Sequence, residues 1–426
     1  GVNASVNGID FGTLRDYRLR VVKTMVGGLA GLLAHRGITV FRANAAFHAD
    51  ETAPATSNHI VHLVPSPDQS DILTYHKADV PEPSGPTMDL TATNIVIATG
   101  AKPRPLPGNP FAGALIDSTQ ALEVNEFPSS AVIIGAGAIA LEFASMWNAA
   151  GSKVTLLIRK DRVLSAWDRR AGTTLTRELK RHGVNIITRA SVTHVDTGAN
   201  LGATVHYTRE GQDGEQSVWG EIALVAIGRD PITDPAWGVT IDDHGHVATD
   251  AYGRTDKPGV WAVGDVTAGH ALAHRAFEQG IVIAETIAGL NPKPADDGTV
   301  PQIVFSFPEA ASVGLTVEQA QAREDLIEIK ETNYPMLANA RMLMSGTAGS
   351  LTIVSGCDAA NPDTPRVLGV HMISQMASDI IAEAEQLVGN HVPLADAARL
   401  VHPHPTFSET LGEALLKADG RPLHTR

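Results

Sequence analysis

The sequence has 426 residues, of which 43% are apolar and 19% charged, and it contains a single cysteine, Cys357. At roughly 150 residues per domain, this length predicts about three domains, each large enough to bury a core. The 33 basic and 47 acidic residues give a net charge of −14, which disfavours binding to nucleic acid or to an anionic membrane. One thiol excludes a disulfide formed within these residues.

The start of the sequence and its apolar stretches predict where the protein works. The first twenty residues lack the basic start and the apolar core of a signal peptide. The longest apolar stretch, 131–146, is interrupted by Glu142 and is shorter than the roughly 18 apolar residues of a membrane span. We therefore expect a soluble, cytoplasmic protein without nucleic acid or membrane among its partners.

The first predicted helix is marked by apolar residues at three- and four-residue steps, namely Leu19, Val22, Met25, Leu29 and Leu32. It should end near Gly37, and a strand at 38–41 should follow. Five prolines between residues 65 and 86 predict an exposed loop or hairpin.

The middle of the chain contains short apolar strands that run into glycine turns, at 95–97, 131–134, 222–227 and 260–266. Strands of this kind are typical of a buried parallel sheet. From about residue 298, short strands such as 303–305 and 351–354 alternate with helices such as 378–388. This change predicts an α+β domain built on an antiparallel sheet.

The strongest local motif is Gly135-x-Gly137-x-x-Ala140, which lies between a predicted strand and a predicted helix. The first glycine permits a tight turn, the second lets the backbone approach a pyrophosphate, and the small alanine allows close helix–strand packing. The motif predicts nucleotide binding. The next strand ends in Ile158-Arg159-Lys160, whose cations suit a 2′-phosphate, so NADP stands at least level with NAD. A solvated basic turn is the alternative interpretation.

A second motif is the C-terminal run HPHPTFSE at 402–409. It presents His404 with Glu409 five residues later, and a carboxylate bonded to one ring nitrogen leaves the other nitrogen as a base. The alternative is that Ser408 and Glu409 only cap the following helix. No third Cys or His completes a zinc site here, so no metal is predicted. Cys357 is expected in a loop-like insertion, as an incidental thiol.

Four motifs in this order (99–101, 135–140, 264–265 and 402–409) resemble those of the FAD-dependent pyridine nucleotide-disulfide oxidoreductases, closest to the dihydrolipoyl dehydrogenase branch. The resemblance implies an α/β fold with a Rossmann-like FAD domain and a Rossmann-like NAD(P) domain, followed by an α+β dimerisation domain. The implied boundaries are 1–119 and 251–297 for the FAD domain, 120–250 for the NAD(P) domain and 298–426 for dimerisation.

The resemblance also implies roles for individual residues. FAD would be bound by Thr99, Gly100, Ala101, Asp265, Ala271, Leu272, Ala273 and His274. NAD or NADP would be bound by Gly135, Ala136, Gly137, Ala138, Ile139, Ala140, Glu142, Ile158, Arg159, Lys160 and Gly228. His404 would be the acid–base that deprotonates a dihydrolipoyl thiol, and Glu409 would orient it. In the implied homodimer, both would serve the active site of the other subunit, and a lipoyl-bearing subunit of a 2-oxoacid dehydrogenase complex would be a partner.

The sequence departs from the family pattern in three features. The family's first GxGxxG turn for FAD, its CxxxxC redox pair and a flavin-contacting lysine are not found, and GVNASVNGIDFG resembles the family's sequence just after that pair. We therefore expect an N-terminal segment to be missing, weak FAD binding and no dithiol step in this chain. Two alternatives stay open: an NAD(P)H-dependent glutathione-type disulfide or quinone reductase, and a catalytically silent nucleotide-binding or assembly subunit.

Overall fold

The computed structural model describes residues 3–5, 7–47, 58–67, 72–75, 87–198 and 202–425. The helices are α1 (Phe11–His35), α2 (Ser118–Leu122), α3 (Ala138–Ala149), α4 (Arg169–Arg181), α5 (Ala273–Ile287), α6 (Val317–Gln321), α7 (Ala340–Ser345), α8 (Ala377–Gly389), α9 (Leu394–Ala397) and α10 (Glu409–Ala418). Within the described residues, no helix has both the length and the apolar character needed to cross a membrane.

The strands are short in the first half of the chain and longer in the last third. They are β1 (Val40–Arg42), β2 (Asn44–Phe47), β3 (His59–Val64), β4 (Leu73–Tyr75), β5 (Met88–Ala92), β6 (Ile95–Ile97), β7 (Ala101–Pro103), β8 (Leu115–Ile116), β9 (Ser130–Ile134), β10 (Lys153–Leu157), β11 (Asn185–Ile187), β12 (Ala190–Asp196), β13 (Ala203–Arg209), β14 (Gln216–Gly220), β15 (Ile222–Val225), β16 (Arg229–Pro231), β17 (Val260–Ala262), β18 (Gln302–Val304), β19 (Glu309–Gly314), β20 (Leu326–Pro335), β21 (Ser350–Asp358) and β22 (Asn361–Ser374).

The chain divides into two compact units, of which the first comprises residues 1–102 and 230–295. In it, β6 and β17 pair in parallel, and β2, β3 and β5 form an antiparallel sheet. Helix α1 begins after its N-cap Asp10 and ends before Gly37, as predicted, but none of its residues is buried. Most of the predicted loop at 65–86 lies outside the described residues.

The second unit comprises residues 103–229 and 296–426. Its first sheet is parallel, with the strand order β11-β10-β9-β15-β8. Helix α3 connects β9 to β10 and buries Leu141, Phe143 and Trp147 against this sheet. The chain moves from β9 toward β10 on one side, whereas β15 lies on the other side. The gap between the carboxyl ends of β9 and β15 is therefore the position where open α/β sheets bind ligands.

The C-terminal part of the second unit contains an antiparallel sheet in the order β18-β19-β22-β21-β20, with α8 and α10 packed against it. The predicted α+β architecture is confirmed. The expected loop around Cys357 is wrong, because Cys357 lies inside β21 and a two-residue turn leads directly into β22. The alternation of polar residues at 358–365 concealed a hairpin whose strand ends pair through Asp358 and Asn361.

Candidate functional site

The predicted nucleotide turn follows β9 directly. Gly135 has a φ of +138°, and a Cβ added there would collide with the carbonyl oxygen of Ala226 on the neighbouring strand's continuation. A Cβ added at Gly137, by contrast, would meet no atom within 4 Å. Gly137 is also the N-cap of α3 and provides no side-chain cap, while Ala140 is fully buried. The open, uncapped helix N-terminus fits a bound pyrophosphate, because its N–H groups and its dipole attract an anion.

The remaining predicted nicotinamide-nucleotide residues surround this turn. Ile158 is buried, whereas Arg159 and Lys160 are exposed just beyond β10. Gly228 has a φ of +128° and its carbonyl accepts a hydrogen bond from Arg104 N. Ala136, Ala138 and Ile139 line the same turn. Glu142 lies one turn further into α3, and its carboxylate accepts a hydrogen bond from Phe305 N at 3.0 Å.

The residues assigned to FAD by resemblance lie in the first unit. Because β6 and β17 are parallel neighbours, the segment 99–101 and Asp265 leave the sheet at the same edge. Thr99 donates its hydroxyl to the carbonyl of Ile232, which holds the turn after β6. Asp265 stands in a short 3-10 helix (Gly264–Val266), whose first N–H donates to Gln279 of α5.

The residues Ala271, Leu272, Ala273 and His274 form the N-terminus of α5. The structure therefore brings α5 and the Asp265 turn together. A polar turn next to an open helix start at the carboxyl edge of parallel strands fits a nucleotide cofactor such as FAD.

The pair His404 and Glu409 comes together in the second unit. Glu409 opens α10, and its Oε2 lies 2.7 Å from His404 Nδ1. The His404 side chain is 75% exposed, whereas that of Glu409 is only 16% exposed. A carboxylate at Nδ1 favours a proton on that nitrogen, which leaves Nε2 facing solvent as a hydrogen-bond acceptor and base.

Asn339 completes this pair, and the sequence analysis did not identify it. Its amide donates to Glu409 Oε1 at 2.8 Å and to the carbonyl of Thr406 at 3.0 Å. The Asn339 side-chain oxygen accepts from Met342 N and so caps α7. Because Asn339 is 3% exposed, its rotamer is held by packing and by the cap. It therefore fixes the Glu409 carboxylate, and through it the orientation of the His404 ring.

A second imidazole–carboxylate pair, also unpredicted, lies beside the first. His402 Nε2 is 3.0 Å from Glu383 Oε1 of α8, and the His402 side chain is 9% exposed. The hydrogen bond from Glu383 raises the pKa of His402, against the opposing effect of burial. The buried phenol of Tyr334 stays neutral, because desolvation and then the charges of Glu413 and Glu409 raise its pKa to about 12.

Cys357 is far less suited to chemistry than these groups. It is fully buried in β21, and desolvation raises the pKa of its thiol. A thiol is nucleophilic as its thiolate, so this environment disfavours reactivity. The printed sequence holds no second cysteine with which it could form a redox pair.

Together, the fold and these sites define an oxidoreductase with two nucleotide sites and an acid–base pair. Residues 4–280 match the family described as pyridine nucleotide-disulphide oxidoreductase, and residues 300–415 match its dimerisation domain. The chain belongs to the pyridine nucleotide-disulphide oxidoreductase family.

Individual relatives agree with this assignment. The chain is 31% identical over its whole length to a dihydrolipoyl dehydrogenase of Geobacillus stearothermophilus, of which it covers 83%. It is 37% identical over 79% of its length to a dihydrolipoyl dehydrogenase of Cupriavidus necator, of which it covers 70%. The fold matches LpdA from Mycobacterium tuberculosis with a TM-score of 0.81 at 23% identity, over 97% of this chain and 84% of LpdA.

These findings confirm the predicted family, the α/β fold and the assignment to flavin-dependent oxidoreductases resembling dihydrolipoyl dehydrogenase. They also confirm the cofactors FAD and NAD or NADP, and the dimerisation domain supports a homodimer. The individual site residues stay predictions.

Proposed function

We propose that this protein transfers two electrons between a dihydrolipoyl dithiol and NAD or NADP, and that His404 is the acid–base of the thiol half-reaction. The observation that carries the proposal is the chain of contacts from Asn339 through Glu409 to His404, which ends in an exposed Nε2. Oxidation of the dithiol to a disulfide releases two electrons and two protons. The nicotinamide accepts the two electrons with one proton, as a hydride, and the other proton is released.

Each residue of the C-terminal site has a distinct task in this proposal. His404 Nε2 accepts the thiol proton, because the thiolate and not the thiol is the nucleophile. The Glu409 carboxylate stabilises the imidazolium that forms, and Asn339 keeps that carboxylate in place. FAD, when bound, relays the electron pair to the nicotinamide. As a homodimer, the protein would offer His404 and Glu409 to the active site of the partner subunit.

We further propose the cofactor sites and domains as the resemblance implies them. The segment 99–101, Asp265 and the start of α5 would hold FAD, within a domain of residues 1–119 and 251–297. The turn at 135–140 would hold the pyrophosphate of NAD(P), within residues 120–250, and residues 298–426 would form the dimer. A lipoyl-bearing subunit of a 2-oxoacid dehydrogenase complex is the proposed partner, and the cytoplasm, where thiols stay reduced, is the proposed location.

Arg159 and Lys160 favour NADP in this proposal. Both side chains are exposed at the end of β10, and within the described residues no carboxylate forms an ion pair with either. The replacement of both by alanine should therefore weaken NADPH binding more than NADH binding. Equal losses for the two nucleotides would assign the basic turn to solvent.

The test of the proposed function measures NAD(P)H formation from dihydrolipoamide by the purified product of the complete reading frame. Turnover is expected, and the Gly137→Ala variant should lose nucleotide affinity while it keeps its melting temperature, because the added Cβ meets only open space. In the matched Gly135→Ala variant, the collision with Ala226 should lower the melting temperature as well. Turnover with quinones but not with dihydrolipoamide would replace the proposal by a quinone reductase, and no turnover by a silent subunit.

A further inference from the structure

The three-stranded sheet of β12, β13 and β14 carries a cluster of side chains that the oxidoreductase chemistry does not use. His194, His206 and Glu215 each offer a ligand atom, and these three atoms lie within 4.8 Å of one another. The cluster lies on the outer face of the sheet, because Val205 and Tyr207 of the same strand β13 are buried on the inner face. The three groups are therefore accessible from solvent.

A β-bulge places the two histidines opposite each other. Val192 pairs with Tyr207 and His194 pairs with His206, so Thr193 is an extra residue in β12. An unbroken register would pair His194 with Val205 and turn its ring toward the core, because a slip of one residue moves a side chain to the other face. The bulge thus brings His194 to the outer face, and bulges commonly re-aim side chains in this way.

The two imidazole rings are stacked, with centroids 4.1 Å apart and planes inclined by 8°. Glu215 lies along one shared edge, with its carboxylate 3.8 Å from His194 Nδ1 and 3.6 Å from His206 Nδ1. Thr193 donates its hydroxyl to the same carboxylate at 2.6 Å. Two Nδ1 atoms and one carboxylate oxygen therefore converge on the same small volume.

Asp196 lies at the opposite edge of the rings. Its Oδ2 is 3.1 Å from His206 Nε2, so it can accept the Nε2 proton and leave Nδ1 as the free electron-pair donor. A carboxylate that holds the far nitrogen of a histidine is the usual outer partner of a metal-bound imidazole. The cluster therefore has both a ligand set and a group that orients one of its ligands.

We propose that His194, His206 and Glu215 bind a divalent transition-metal ion of the zinc, copper and nickel class, with Asp196 as an orienting partner. Imidazole and carboxylate ligands suit these ions, and three protein ligands leave one position for water. Tetrahedral coordination with bonds of about 2.0–2.2 Å requires ligand atoms about 3.3–3.5 Å apart. Side-chain rotations at this exposed surface supply the required approach, and the bound ion ties β12 to the hairpin of β13 and β14.

The test titrates the complete, chelator-treated protein with Co²⁺, observed by its visible absorption, and with Zn²⁺ in competition with a chromophoric chelator. We expect one saturable site. His206→Gln and Glu215→Gln should each raise the dissociation constant at least about tenfold, and Asp196→Asn about tenfold. Because Glu215 is exposed, its variant should fold like the parent protein.

The matched control is His424→Gln, which removes an exposed histidine that pairs with Glu413 at 2.8 Å. This variant should keep the parent affinity, and zinc should raise the melting temperature of the parent and of this control but not of the His194→Gln, His206→Gln double variant. Absence of saturable binding, or binding unchanged by His206→Gln and Glu215→Gln, would overturn the proposal and leave the cluster as a stacked pair between two carboxylates.

Discussion

Two imidazole–carboxylate pairs stand two residues apart in the C-terminal segment, and their surroundings differ sharply. His404 is 75% exposed and contacts Glu409 through Nδ1, so its Nε2 faces solvent. His402 is 9% exposed and contacts Glu383 through Nε2, which leaves no ring nitrogen toward the outside on that edge. The same two residue types thus present an open base in one case and an internal tie between α8 and the C-terminal segment in the other.

The comparison teaches that the choice of ring nitrogen and the exposure separate chemistry from stability. An exposed pair gains little folding energy, because water and salt screen it. A pair withdrawn from water makes a stronger charge-assisted hydrogen bond, but its proton is unavailable to a substrate. Four substitutions, ordered by expected effect, would break or sharpen this contrast.

The largest effect is expected for His404→Gln. Loss of the exposed base should lower kcat with dihydrolipoamide by about 10²- to 10⁴-fold, the usual contribution of general acid–base catalysis. The melting temperature should stay unchanged, since the ring is largely exposed. His424→Gln, which removes another exposed histidine paired with a glutamate, is the control and should keep full activity. An unchanged kcat in His404→Gln would remove this residue from the mechanism.

Glu409→Gln should have a smaller effect on the same reaction. The amide can still accept from Asn339, but it no longer stabilises a positive imidazole, so kcat should fall about tenfold while KM stays the same. Steady-state kinetics at several dihydrolipoamide concentrations separate the two constants. A rise in KM alone would indicate that Glu409 contacts the substrate and does not position His404.

His402→Gln should act on stability. Removal of the charge-assisted bond to Glu383 should lower the free energy of unfolding by about 1–2 kcal/mol, with kcat nearly retained. Urea unfolding followed by circular dichroism measures the change. A loss of activity without a loss of stability would reverse the roles assigned to the two pairs.

The smallest effect is a pH dependence of that stability. Because Glu383 raises the pKa of His402 in the folded protein, the pair contributes its full stabilisation below the ordinary value of 6.5 and loses it as pH rises through the raised value. The stability difference between the parent and Glu383→Gln should therefore be largest in mildly acidic buffer and shrink toward alkaline pH. A difference that grows with pH would contradict this linkage.

The sequence predicted the elements well where local signals were strong. The glycine turn after β9, the helix α3 and the antiparallel C-terminal architecture follow from apolar runs and from glycines that only certain turns require. The segment around Cys357 failed, because proline and aspartate are turn formers, yet here they stand in paired strands. Local propensity was outweighed by long-range pairing.

Within the site, the sequence identified the residues of the HPHPTFSE motif but not their supports. Asn339 and Glu383 lie 70 and 19 residues from the side chains that they hold. Asn339 stood in a family-like stretch, so a signal existed, but no spacing rule connects it with Glu409. The cluster of His194, His206 and Glu215 gave no signal either, because its ligands meet only through the register of three strands.

The sequence by itself determined the family, the two nucleotide-binding patterns and the acid–base motif, because each depends on residues close together in the chain. Only the tertiary structure decided which of the two neighbouring histidines is open to solvent, what holds its carboxylate, and that a bulge turns His194 toward His206. The physical reason is that exposure and partner choice depend on contacts between distant segments, which a local pattern does not contain.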